Sequence, residues 1–209
     1  MGWVGLAVLG VSPVAWAVQT VAVLPFSDLA GGKSRVGEAI RETVTSDLRE
    51  ISVLKVLERD RIDKVVVEQD LRAKVTTLDA VSMVRVGTLL GASLIVTGAY
   101  QRAGATVRLT ARVVKVQTGE ILGTAKVDGP VGELLSLQDR ITGQLLSSAG
   151  IERTTVARKR PRVKSWRTYE LYGDAVVEPD DTKRRKLLQL AVAEDPGALV
   201  ELRGALRVE

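Results

Sequence analysis

Three consecutive extended segments between Leu94 and Val127 restrict this chain more than any other stretch. Leu94 to Tyr100 is apolar and β-branched, Thr106 to Val116 mostly alternates, and Glu120 to Val127 follows a Thr118-Gly119 turn. Connections this tight join antiparallel neighbours, so the stretch predicts a three-stranded meander. In its middle segment Val107, Leu109, Ala111 and Val113 fall on one face, while Arg108, Thr110 and Arg112 fall on the other. That is the pattern of a sheet with one dry and one wet face. The alternation fails at Val113-Val114, where a bulge or burial on both faces is expected. Gly98, inside a strand, marks a bulge or a close backbone approach.

The residues before the meander alternate between strand and helix. Val21 to Phe26, VAVLPF, reads as a fully buried strand ending at Pro25. After a polar loop, Val36, Ile40, Val44, Leu48 and Ile51 give a helix from about Arg35 to Ile51, with Ser34 as its N-cap. Val53 to Glu58 is a second strand, and Asp60 then caps a helix carrying Ile62, Val65, Val66 and Leu71. A further helix from Asp79 to Leu90 stops at Gly91 in a left-handed C-cap. After the meander, Gly129-Pro130 opens a helix with proline at its first position, and Val131, Leu134, Leu135, Leu137, Ile141 and Leu145 form its apolar face up to Gly150. The expected fold class is α/β, with helices packed on a mixed sheet of about five strands and a C-terminal helical segment.

The chain contains no His and no Cys. A thiol nucleophile, a Ser-His-Asp triad, an imidazole base and a zinc site of the usual ligands are thereby excluded. A carboxylate-only site stays open, but no acidic pair stands out by spacing, so no catalytic residue, metal or cofactor is expected. The redox compartment is left open as well. With only seven aromatic residues, the core is expected to be filled by Val, Leu, Ile and Ala. The sharpest enzyme hint is strand, Gly31-Gly32-Lys33-Ser34, helix, which is half of a phosphate-binding loop. The full motif needs a glycine five residues before Gly32, and that position is Ser27.

The net charge of +5 is concentrated: seven basic residues and no acidic one lie between Arg153 and Arg167. Arg158, Lys159, Arg160, Arg162 and Lys164 could form a patch for an anionic surface or acidic partner. A solvated, extended linker is the reading that Pro161 and the lack of apolar periodicity favour. Nucleic acid is not expected, because the run lacks interleaved aromatics. At the other end, residues 1 to 27 carry no charged side chain. An apolar run broken at Ser12-Pro13 and followed by Ala15-Trp16-Ala17 predicts a signal peptide cleaved before Val18. An uncleaved anchor or a buried strand are the alternatives. The expected organisation is a signal peptide over 1–17, an α/β domain over 18–151, a basic linker over 152–165 and a helical segment over 166–209. In that last segment Asp180-Asp181 caps a helix ending at Asp195-Pro196, and another is expected near Ala198.

Several of these stretches resemble the CsgG and FlgO group of envelope proteins. They are VAVLPF, VLKVLERDRIDKVVVEQDL (Val53 to Leu71), GTLLGASLIVTGAYQ (Gly87 to Gln101) and VRLTARVVKVQTGEIL (Val107 to Leu122). The group's paired motifs stand here as Glu58-Arg59, Glu68-Gln69, Gly91-Ala92 and Thr97-Gly98, and the likeness spans about Val21 to Gly150. It implies an exported, periplasmic or outer-membrane-associated, non-catalytic domain that helps assemble or secrete surface structures, often as a ring of identical subunits. The curli pore protein is a lipoprotein with long membrane hairpins; this sequence has no Cys and only short connections, so neither a Cys lipid anchor nor the channel itself is expected. The Tyr-Gly-x-Ala turn and AVAEDP of the tail resemble a tetratricopeptide unit, fewer than two of which are present. Protein partners of the envelope and copies of the chain itself are the expected partners. Glu58, Arg59, the five basic residues above, Tyr169 and Tyr172 are the contact candidates. A ligand-sensing domain and a nucleotide-binding ATPase using Lys33 and Ser34 are the alternatives.

Overall fold

The residues with the strictest apolar periodicity form the layers that cover a central sheet. The computed structural model describes residues 18–32, 34–68, 79–152, 162–163 and 165–198. In chain order these contain β1 (Gln19–Asp28), α1 (Val36–Arg49), β2 (Leu54–Val56), α2 (Arg59–Glu68), α3 (Ala80–Leu90) and the meander β3 (Leu94–Ala103), β4 (Thr106–Lys115) and β5 (Ile121–Pro130). Helices α4 (Leu134–Ser148), α5 (Trp166–Val177) and α6 (Asp181–Glu194) follow. The sheet order is β2-β1-β3-β4-β5; β1 runs parallel to both neighbours, and β3, β4 and β5 are antiparallel. The expected α/β class, mixed five-stranded sheet and meander are therefore observed.

The two faces of the sheet are covered unequally. On one, α1, α4 and α5 bury Val21, Val23, Leu94, Val96, Leu109 and Val113 beneath the apolar stripes of the helices. The whole stripe Val36, Ile40, Val44, Leu48 and Ile51 is buried, each side chain contributing about 1.5–3 kcal/mol. On the other, α2 and α3 cover only the β2-β1-β3 end, around Ala22, Leu24, Ile95, Val114 and Val116. This explains Val113-Val114: the two valines serve opposite cores, and β5 shifts register beside them, with Val113 opposite Gly123 and Val114 opposite Ile121. Gly98 stands under the Phe26 ring, a close approach of the kind its position predicts.

Several boundaries differ from expectation for local physical reasons. Strand β1 does not end at Pro25 but continues to Asp28, with a register irregularity between Val23 and Phe26. β2 pairs only with Gln19 to Val21, so the missing proline N–H falls where no partner strand needs it. β2 itself is three residues long rather than six. Ser34 is not the N-cap of α1; Arg35 is, and the Ser34 hydroxyl accepts from the Val36 amide at 3.4 Å instead. Asp60 lies in the first turn of α2, which starts at Arg59. Pro130 ends β5 and precedes a 3-10 turn, Val131–Glu133, so α4 begins at Leu134 rather than at the proline. Asp180 caps α6 and Gly91 adopts φ 65° after α3, both as expected, while Asp79, read as the start of α3, is its N-cap.

The core takes aromatics as well as Val, Leu, Ile and Ala. Tyr100, Tyr169 and Tyr172 are each 1% exposed, and Phe26 is buried with them. Helix α5 joins the same core as α1 and α4, and Val163 is buried there too, its amide donating to the Gly132 carbonyl at 3.0 Å. The signal-peptide residues, Lys33, Leu71, Arg158, Lys159, Arg160, Lys164 and the residues after the 3-10 turn Pro196–Ala198 lie outside the described set.

Docking of α5 depends on Gly173. A β-carbon there would stand 2.0 Å from the Arg35 carbonyl oxygen, a backbone atom at the start of α1. Gly173→Ala is expected to cost about 1–3 kcal/mol in urea denaturation, with the loss appearing as faster proteolysis within α5 and α6.

Candidate functional site

Strand β1 is the point at which the strand order reverses. It feeds α1 on one face, β2 returns beside it, and the chain then crosses through α2 and α3 to β3 on its other side. In open α/β sheets a crevice forms beyond the carboxyl ends of the strands at such a point. Here it is a cleft of about 760 Å³ above Pro25 to Asp28, between the starts of α1 and α2, and the α5–α6 connection Val177 to Pro179 closes one side.

An ion-pair chain runs along the cleft. Arg41, on the inner face of α1, is 1% exposed; its Nε donates to the Val23 carbonyl at 2.9 Å. Its Nη1 reaches Asp63 Oδ1 at 2.7 Å and Glu38 Oε2 at 3.4 Å. Asp63 continues to Arg59, Oδ2 to Nε at 3.7 Å, and Arg59 Nη1 donates to the Val176 carbonyl at the end of α5. A guanidinium at a helix C-terminus also meets the negative end of the helix dipole. Arg184 donates to the carbonyls of Glu178 and Pro179 and pairs with Asp181 at 2.9 Å. The charges of the cleft are thus largely matched to one another and to main-chain groups.

Burial shifts the acids and phenols behind this wall. Glu42 is held above the ordinary carboxylate value by burial, which outweighs Arg49, Arg59 and Arg41. Burial, with the Asp28 carboxylate adding to it, pushes the Tyr100 hydroxyl up to about 12. Burial raises Tyr169 and Tyr172 further.

The glycine loop at the mouth of the cleft is occupied by its own carboxylate. Asp28 Oδ1 accepts from the Ala30 amide at 2.9 Å, and a β-carbon on Gly32 would stand 2.6 Å from Asp28 Oδ2. Glu38, in the first turn of α1, adds a second carboxylate beside the loop. Among the described residues, no group of three His, Cys, Asp or Glu side chains is placed to hold a metal ion, and no helix is long and apolar enough to cross a membrane.

The contact candidates fall in different places. Glu58 is exposed and pairs with Arg49 at 3.2 Å, while Arg59 ties α2 to α5, so both are engaged within the chain. Tyr169 and Tyr172 are not surface residues; they fill the space between α5 and the α1 and α4 layer, which corrects their reading as contact residues. Arg162 pairs with Glu133. Arg41 and Asp63 were missed, although the Glu38-to-Arg41 and Arg59-to-Asp63 spacings are helical i,i+3 and i,i+4 pairs visible in the sequence.

A second surface lies on the less covered side of the sheet. Beyond the reach of α2 and α3, the meander presents three cross-strand rows: Thr97-Arg112-Thr124, Ala99-Thr110-Lys126 and Gln101-Arg108-Asp128. Arg108 grips Asp128 with two hydrogen bonds, 2.7 and 3.1 Å. That pair holds the Asp128 carboxyl below the ordinary range. The first two rows floor an open trough of about 520 Å³ rimmed by the half-exposed Leu29. β5 is an edge strand, paired on one side only among the described residues.

No family model matches the chain. A protein of Rhizobium meliloti (strain 1021) named "Putative adenylate cyclase 3" is 24% identical over 146 residues, 69% of this chain. The chain spans 23% of that protein's length. Among solved structures, lipoprotein GNA1162 from Neisseria meningitidis is similar with TM-score 0.48 and 14% identity, over 62% of this chain and 98% of that one. The LpoB C-terminal domain from Salmonella enterica is similar with TM-score 0.45 and 13% identity, over 57% and 87% of the two chains. A PelC dodecamer from Paraburkholderia phytofirmans gives 0.39 and 13%, over 67% and 92%. The CsgG and FlgO resemblance rests on the sequence motifs alone.

Two outcomes follow from the buried charges. Arg41→Ala leaves the Val23 carbonyl without its donor and Asp63 with Arg59 alone, and is expected to cost about 3 kcal/mol in chemical denaturation. Glu42 binds its proton more tightly when folded, so its contribution to stability falls as pH rises above the ordinary 4.5. Glu42→Gln is therefore expected to be more stable than the parent at pH 7, with the difference shrinking as the pH is lowered toward 4.5 in paired urea melts.

Proposed function

We propose that this chain is a non-catalytic protein-contact module of the cell envelope, exported to the periplasm or the outer-membrane surface, that serves assembly or secretion of cell-surface structures. It acts by contacts with itself and with envelope proteins. The observation that carries this reading is the wet face of the meander beside β5, an edge strand paired on one side only among the described residues. An unpaired edge offers main-chain groups to another chain, and an extended sheet face offers area for side-chain contacts. The order and spacing of the CsgG and FlgO motifs support the same reading. So does the internal pairing of the cleft, which leaves Glu58 and Arg59 to hold the scaffold while the meander faces outward. The basic residues between Arg153 and Lys164 add a second, anionic-surface contact to the proposal.

A ligand-sensing or regulatory domain is the second reading, favoured by the 760 Å³ cleft and its wall from the α5–α6 connection. A small molecule that raises the melting temperature of the parent, but not of a variant altered at Asp60 on the cleft rim, would support it.

Light scattering of the chain across a range of concentrations tests the self-contact. A discrete oligomer of constant mass is expected. Thr124→Arg on the exposed face should dissociate it while leaving the melting temperature unchanged. A monomer at every concentration overturns self-assembly, and a constant oligomer that ignores Thr124→Arg moves the contact off this face.

A further inference from the structure

A further surface lies on the tail helix, away from the meander, and reaches beyond the protein-contact reading. Helix α6 packs on α5 and buries a single side chain, Ala191. Its stretch from Thr182 to Ala193 holds four consecutive cations, Lys183, Arg184, Arg185 and Lys186, and no carboxylate. Arg184 is spent within the fold, on Asp181 and on the carbonyls of Glu178 and Pro179. Lys183, Arg185 and Lys186 are exposed, and among the described residues none of their side chains has a hydrogen bond or an ion pair. Helix stability does not account for them. Lys183 stands in the first turn of α6, where the positive end of the helix dipole opposes a cation, and Lys186, three residues on, repels it. Local costs that return nothing to the fold are the mark of a functional surface.

We infer that the outward face of α6 docks on an anionic lipid bilayer, with Lys183, Arg185 and Lys186 on lipid phosphates and Leu190 entering the headgroup boundary. Lys183, Lys186 and Leu190 follow one another at i, i+3 and i+7, so they share a face of the helix. Leu190 is 48% exposed, one turn beyond Lys186. Unmatched cations beside an exposed leucine, on a helix lying flat, are the combination that holds a helix at a bilayer surface. An acidic peptide fits less well. The face is a ridge that neither the cleft nor the trough includes, so it offers no groove, and a bilayer requires none. Nucleic acid also fits less well, because α6 carries no aromatic side chain on which a base could stack. Three charges and one leucine give a reversible contact rather than an anchor.

The test is co-flotation of the full chain with phosphatidylcholine vesicles, with and without phosphatidylglycerol. Residues 1–17 are common to every variant and uncharged, so any hold they have on lipid appears on both vesicles, and the quantity read is the gain on adding phosphatidylglycerol. A gain that falls as salt rises is expected. Lys183→Gln, Arg185→Gln and Lys186→Gln should each weaken it about fivefold, and together on the order of a hundredfold. The combined variant relieves the repulsion within α6, so its melting temperature should equal or exceed the parent's. Because the chain has no Cys, Leu190→Cys accepts an environment-sensitive dye at one place, and its emission should shift to the blue on anionic vesicles. The same dye at Thr124→Cys should not shift. Equal flotation on both vesicles, a combined variant that binds like the parent, or an unmoved Leu190→Cys dye overturns the proposal. So does a dye shift as large with soluble polyglutamate or a thymidine oligomer as with vesicles, which would assign the face to an acidic protein or to nucleic acid. Light-scattering masses without lipid judge the protein-contact reading separately.

Discussion

The guanidinium of Arg41 makes the contact on which the rest of this structure depends. Carbonyls along a strand alternate sides, and Val21 already gives its oxygen to the Leu57 amide just past β2. Val23, two residues on, presents its oxygen on the same side, where β2 has ended. Arg41 Nε fills that position at 2.9 Å. A buried carbonyl without a partner would cost about 1–3 kcal/mol, and a buried guanidinium without a carboxylate more. Each group therefore makes the other tolerable. Asp63 and Glu38 complete the arrangement by neutralising the charge, which fixes α2 against α1 and sets the width of the cleft between them.

This arrangement also explains which parts of the fold were legible in the sequence. The meander, α1 and α4 are written in repeated apolar residues, Val107 to Val113 at period two and Val36 to Leu48 at period four, and each buries the face its pattern marks. Pro25 misled because a proline in a buried strand argues for an end, whereas here the neighbouring strand is too short to ask for the missing N–H. Periodicity carries no information about the length of a partner strand. Tyr169 and Tyr172 misled for another reason: their burial depends on Gly173 letting α5 approach the start of α1, a tertiary fact. Their phenols carry the mark of that burial in raised pKa values.

The candidate sites divide along the same line. Of the residues that sequence patterns singled out, Glu58 and Arg59 became joints, because a charged pair between a strand and a helix is well placed to reach neighbouring elements. Arg59 reaches the Val176 carbonyl, so the Glu38–Arg41–Asp63–Arg59 chain extends from α1 through α2 to the end of α5. The helical tail is then a wall of the cleft rather than an independent appendage. Arg108, Thr110 and Arg112 were legible as the wet face of a strand, but the rows they form with Thr124, Lys126 and Asp128 needed the β5 register, and that register shifts beside Val114.

Unequal coverage of the sheet leaves half of one of its faces polar. α4 spans β4 and β5 on one face, and its buried Leu134, Leu137, Ile141 and Leu145 complete a core that needs nothing more. α2 and α3 reach only as far as Val114 and Val116 on the other, and the sequence changes there from valine to arginine and threonine. A strand that is apolar on both faces at one end and on one face at the other is matched to helices that stop halfway. The wet half is then a consequence of where α3 ends. The cleft differs from it, because charges tied to Arg41 cannot change without loosening the joint between α1, α2 and α5.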